Sequence, residues 1–257
     1  MLRKLRQSAA IALWHHPQHM PGPCIYPAIS DRTAGRMPVE TLEAQITRTL
    51  LPGMHLPPAL KALFGWIEDN GLYIDRPDST RIGFLFPEEA LRESWTDDER
   101  QGGTNITFFA EGNANLKYWF GHARAEVLDR LCVFAKTGAE GSMAALWLAP
   151  DGTQKIVHLG SGSGSVTVCV LADDALDFLR LLAIGYDEIC WGGELGSPPP
   201  REGEFVVHPN VAYQQWVRSR FATTIPEIGT EIVRHPEDMH IEDAADPFNR
   251  WVSANCA

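Results

Sequence analysis

Apolar residues near the start of the ordered pattern recur every three or four positions. Val39, Leu42, Ile46 and Leu50 form one such stripe, which predicts an amphipathic helix. LPGMHLPP breaks it, and Pro57-Pro58 open a second helix with the stripe Leu60, Leu63, Phe64 and Ile67. Asn70-Gly71 stops that helix, because both residues tolerate the left-handed conformation just past a helix end. GFLFPEEALRESW predicts a short strand, then a helix from Pro87 with Glu88 and Glu89 at its positive end. TDDERQGG predicts an exposed acidic loop. NITFFAEG and NLKYWFG predict two strands around a turn at Gly112-Asn113.

The pattern then changes. Residues 145–148 and 155–159 are apolar runs flanking Pro150-Asp151-Gly152, a hairpin signal. Residues 166–171, VTVCVL, form an unbroken apolar strand. Asp173 or Asp174 caps the helix that follows, with Asp177 in its first turn, Leu176, Leu179, Leu182 and Ala183 on its core face, and Gly185 at its end. GGELGSPPPREGEF reads as a linker-like loop, Asn210 to Phe221 as a helix, and HPEDMHIEDAADPFNRW as an acidic, solvated segment. Helices, then strands, then helices predict an α+β fold with a mostly antiparallel central sheet packed by helices, not a doubly wound parallel sheet. Residues 1–37, rich in Pro and Gly, read as an N-terminal extension. Residues 38–192 read as the domain, and residues 193–257 as a C-terminal helical extension packed on it.

Composition narrows the function. An apolar content of 44% supports a real core, yet no apolar run reaches the roughly 20 residues of a membrane span. The basic start, MLRKLRQSAAIALWHH, has too short an apolar stretch for a signal peptide, which predicts a cytoplasmic protein. Cys24, Cys132, Cys169, Cys190 and Cys256 are odd in number and form no CxxC, so zinc and redox motifs are unsupported; Cys132 and Cys169 read as buried thiols. The net charge of −11 repels nucleic acid and anionic lipid and attracts a basic partner.

Candidate chemistry is sparse. GSGSGS at 160–165 looks like a phosphate cradle, but a strand and not a helix follows it, so the helix dipole is missing. No GxSxG elbow occurs, and Lys136-Thr137 lacks the glycines of a P-loop. His15, His16 and His19 have no second ligand cluster. His235 and His240, among Glu237, Asp238, Glu242 and Asp243, could bind a divalent ion, although a solvated acidic segment explains them as well. Asp97-Asp98-Glu99, Asp173-Asp174 and Asp187-Glu188 read as caps or exposed faces before acid–base pairs. Trp119, Trp147, Trp191, Trp216 and Trp251 could be aromatic platforms; Trp147 reads as core and Trp191 as a groove rim. No catalytic residue, metal site or cofactor is assigned, and the chain is read as a non-enzyme.

Four segments carry a resemblance. LPPALKALFGWIEDNG resembles the opening helix of the SMI1/KNR4 proteins of the SUKH superfamily. FLFPEEAL resembles their following strand and helix, LCVFAKTGAEGSMAALWL their central element, and ADDALDFLRLLAIG their terminal helix. The resemblance covers about residues 38–192, and NVAYQQWVRSRF through DPFNRW is similar to a tail of many bacterial members. It departs in a looser Gly turn at 138–142 and a long insertion around 95–130. The resemblance implies the SUKH α+β fold. It also implies an immunity protein of the polymorphic-toxin kind, which binds and neutralises a cognate toxin, often a nuclease, without catalytic residues. A cognate, basic protein toxin is therefore the expected partner, with no nucleic acid and no membrane. Asp97, Asp98, Glu99, Asp187, Glu188, Trp191 and Glu194 are the candidate partner-binding residues, because they sit in loops or at element ends. The rival readings are a general regulatory or scaffolding module and a metal- or carboxylate-dependent enzyme.

Overall fold

The computed structural model describes residues 39–93 and 98–256. Those from Glu40 onward belong to one compact unit. The reading of residues 1–37, with His15, His16, His19 and Cys24, lies outside the described residues, as does Asp97.

The two opening helices form where their stripes place them. Helix α1 spans Leu42–Thr49, with Thr41 accepting from the Ala44 amide at 3.2 Å as its cap. Helix α2 spans Pro58–Asp69 and buries Leu60, Leu63, Phe64 and Ile67. Strands β1 (Tyr73–Asp75) and β2 (Arg81–Gly83) follow. The Arg81 guanidinium is buried between Asp75, at 2.7 Å, and Glu68, while the other Glu68 oxygen takes the Leu42 amide at 2.7 Å. One buried cation thus ties α1, α2 and the first hairpin together. Such a cation is costly to strip of its partners.

After α3 (Glu88–Glu93) come β3 (Glu99–Gln101) and β4 (Thr107–Gly112). Two expectations are corrected here. TDDERQGG is not all loop, since β3 pairs in parallel with β9 (Val206–His208) from the far end of the chain. NLKYWFG is not a strand. Residues Leu116–Phe120 form helix α4, and α5 (Ala125–Leu128) follows. A strand would put Leu116, Tyr118 and Phe120 on one face. Here Leu116 and Phe120 are buried while Tyr118 is 75% exposed, which is the i, i+4 spacing of a helix.

Strands β5 (Leu131–Lys136), β6 (Met143–Leu148), β7 (Gln154–Leu159) and β8 (Val168–Ala172) complete an antiparallel seven-stranded sheet in the order β1-β2-β4-β5-β6-β7-β8. The Pro150-Asp151-Gly152 turn joins β6 to β7 as predicted. Helix α6 (Ala175–Ile184) is capped by Asp174, which accepts from the Asp177 amide, and ends at Gly185 in the left-handed region (φ 91°). Helix α7 (Val211–Phe221) takes Asn210 as its cap, and α8 (Pro247–Asn255) takes Asp246.

Both faces of the sheet are covered. Phe108, Cys132, Phe134, Leu146, Ile156 and Leu171 pack under α1, α2, α6 and α7. The alternate residues Leu131, Val133, Ala145, Trp147, Val157 and Val170 pack under α4, α5 and α8. Phe134 meets Phe178 edge-on at 5.7 Å on one face, and Trp147 meets Phe248 at 5.1 Å on the other. Each such pair adds about 0.5–1.5 kcal/mol beyond its buried area. The acidic stretch from His235 is correspondingly not all solvated: Asp246, Phe248 and Asn249 are buried. Within the region read as a linker, Leu195 is likewise a core residue.

Candidate functional site

The site starts where α6 stops. Past Gly185 the chain lies against the segment that leaves β3. The Gly103 amide donates to the Tyr186 carbonyl at 2.6 Å, and the Asn105 amide to that of Asp187 at 3.0 Å. Contact is so close that a Cβ on Gly102 would lie 2.5–2.7 Å from the Gly185 backbone, so only glycine fits. On the other side the Ile189 amide donates to the Thr137 carbonyl at 2.9 Å. Residues 186–189 are thereby held between two loops that are distant in sequence.

This clamp gathers carboxylates. Glu188 accepts from the Ala139 amide at 3.2 Å and from the Trp191 indole N–H. Burial is the main cause that raises its pKa above the ordinary value, and repulsion from Asp187 and Glu140 adds to it. Burial also raises the pKa of Asp187, with Arg100 opposing and Glu194 reinforcing the shift. Glu140 accepts from the Ser142 amide at 2.7 Å. The Cys190 thiol is pushed far up by burial and by Glu188 and Glu140, which makes it an inert group.

Asp187, Glu188, Trp191 and Glu194, named from the sequence, therefore come together. None of the four is fully exposed. Asp98 and Glu99 form a second group at the start of β3. The Asp98 carbonyl accepts from the Val206 amide at 2.8 Å, and Glu99 pairs with His208 at 3.1 Å on the surface. The bend that leads into β9 carries two further carboxylates, Glu202 and Glu204. Arg100 links the groups, since it follows Glu99 on β3 and is the charge neighbour of Asp187. The sequence reading missed Glu140 and Arg100. The signal for Glu140 was a carboxylate inside a Gly-bounded turn between two apolar strands.

A buried polar column supports this face. His158 donates from Nδ1 to the Thr167 carbonyl at 2.8 Å and accepts at Nε2 from the Thr137 hydroxyl at 3.0 Å. Burial lowers its pKa, so it stays neutral. Thr167 in turn accepts the Gly192 amide at 3.2 Å and donates to Asp238 at 3.0 Å. The GSGSGS loop joins β7 to β8, and the Gly160 amide donates to the Thr167 carbonyl at 2.9 Å. Its outline is that of a connector to this column.

Other candidates have structural employment. Asp173 pairs with Lys155 and Arg234, and Asp174 caps α6. Glu237 accepts from the Ala245 and Asp246 amides, each at 3.0 Å. Among the described residues no group of three or more His, Cys, Asp or Glu is placed to hold a metal ion. Trp147 is core, as predicted. Trp119 donates to the Gly160 carbonyl at 2.7 Å, Trp216 packs on Trp66 and Tyr213, and Trp251 on Phe248. No described helix is long and apolar enough to cross a membrane.

Charge is unevenly shared along the chain. The first 38 residues hold five of the 22 basic residues and one of the 33 acidic ones. Residues 39–257 therefore hold 17 basic against 32 acidic residues, a formal charge of −15. Fold and site together define an α+β protein with a sheet buried on both faces and a carboxylate-rich face beside it. No protein-family model, curated protein or solved structure matches the chain.

Proposed function

We propose that the protein is a cytoplasmic immunity protein that binds a cognate toxin in a fixed ratio, the toxin presenting a basic surface. The observation that carries the reading is the carboxylate group of Asp187, Glu188, Glu194 and Glu140, to which Arg100 links the Asp98-Glu99 start of β3, in residues 39–257 of formal charge −15. A nucleic-acid enzyme carries the opposite charge on its substrate-binding surface, and complementary fields speed its capture. Trp191, half-buried and bonded through its indole N–H to Glu188, adds an aromatic surface of the kind that anchors interfaces. The resemblance of residues 38–192 to the SMI1/KNR4 proteins supports the same reading.

Co-expression with the product of the adjacent gene tests it. Rescue from a toxic neighbour and a complex of fixed ratio are the expected results. Asp98→Lys with Glu99→Lys should slow association roughly tenfold or more and flatten its salt dependence. A neighbour that is not toxic, or toxicity that persists with no complex formed, overturns the proposal.

A further inference from the structure

Strand β8 closes one end of the sheet, and an end strand leaves a row of main-chain groups unpaired. Residues 166, 168 and 170 turn theirs outward, because the Thr167 carbonyl already faces β7 through the Gly160 amide. Four of these outward groups are taken by the C-terminal segment. The Val166 carbonyl accepts from the Met239 amide at 2.7 Å, and the Val168 amide donates to the Glu237 carbonyl at 2.8 Å. The Val168 carbonyl accepts from the Asn249 side chain at 3.0 Å. The Val170 amide donates to the Asp246 carboxylate at 2.9 Å. Only one true bridge exists here, Thr167 to Asp238, so the cover is not a strand. Two side chains complete what a strand would do. Both are held in place: Asp246 also accepts from the Phe248 and Asn249 amides, and Asn249 also donates to the Asp238 carbonyl.

We infer that residues 237–249 are a strap that keeps a second copy of this chain off the β8 edge. VTVCVL has four β-branched residues of six, no charge and no Pro or Gly, the composition that pairs edge to edge when bare. The edge is also self-complementary. Two copies related by a two-fold axis would set Val168 opposite Val168 and Val166 opposite Val170, so every bond now made to the strap has an equivalent across the axis. The opposite end strand, β1, has only three residues and carries Asp75, which makes it a poor template.

The experiment uses the full chain. Sedimentation of Asp246→Ala/Asn249→Ala over a hundredfold range of concentration, roughly, should show a monomer–dimer equilibrium absent from the parent. Adding Val168→Pro, which deletes the central outward donor, should return the variant to monomer. A folded double variant that stays monomeric overturns the inference, as does a dimer indifferent to Val168→Pro. If the double variant does not fold, Asn249→Ala alone is judged by the same two results. Hydrogen exchange on the parent is a further arm. The Val168 and Val170 amides should exchange at least about a hundredfold more slowly than open-edge amides. Exchange at open-edge rates would also overturn the inference.

Discussion

His158 shows how one side chain can set a pH dependence without taking part in chemistry. It is fully buried between Thr137 and Thr167, and burial lowers its pKa below the ordinary 6.5. The unfolded chain takes up that proton near its ordinary pKa and the folded chain does not. Stability from this group is therefore complete above about pH 6.5 and is lost as pH falls toward the folded value, by about 1.4 kcal/mol per unit of depression. Asp187, Glu188 and Asp246 act in the opposite sense. Their raised pKa values make the folded chain bind protons first, so each adds stability as pH falls. Thermal melts from pH 7 to pH 5 separate the two. His158→Gln should be less stable throughout, and between pH 7 and pH 5 its stability should fall less, or rise more, than that of the parent. Parallel curves for parent and variant would refute the assignment. At this scale the sequence was a partial guide. It marked Asp187, Glu188, Trp191 and Glu194 because they sit at element ends. Glu140 and Arg100 join them only through pairings between distant segments, which spacing along one segment cannot reveal.

Elements with a cap and a stripe were legible, and those without were not. Helices α2, α6 and α7 begin and end within a residue or two of their predicted positions, because Pro58, Asp174, Gly185 and Asn210 each have a specific backbone role. Helix α4 was misread because three apolar residues in alternation also satisfy a five-residue helix. Strand β3 was missed because its partner, β9, lies more than a hundred residues away. The caps themselves differ in weight. Asp174 serves one amide of α6 on the surface. Asp246 serves two amides of α8 and one of β8 in the interior. Asp174→Ala should cost about 1 kcal/mol, and Asp246→Ala about 2–3 kcal/mol because it strands buried donors. Urea titrations that gave equal losses would show that neither the second α8 amide nor the bond to β8 adds to the cap.

At the scale of the molecule, the sheet explains why its strands read as continuous apolar runs. An antiparallel sheet with one wet face alternates apolar and polar residues, whereas β5 and β8 have both faces covered and so lack that alternation. Composition could announce a large core but not that it lies in two layers. Nor could it say that residues after 192 supply part of each layer. Tyr213 and Val217 of α7 pack on α6 over one face, while Phe248 and Val252 of α8 pack on Trp147 and its neighbours over the other. A fragment ending at residue 192 would expose both sets of contacts to water at once. Each large buried side chain removed from a core costs about 2–5 kcal/mol, and a whole domain has only about 5–15 kcal/mol to lose. The fragment 38–192 should therefore show no cooperative melt and poor amide dispersion. In the full chain, Phe178→Ala and Phe248→Ala, on opposite faces, should each lower one common unfolding transition. A fragment that melts cooperatively within a few degrees of the full chain would show instead that residues 193–257 decorate a finished domain. Two transitions, each answering to one of the two phenylalanines, would show that the layers fold apart.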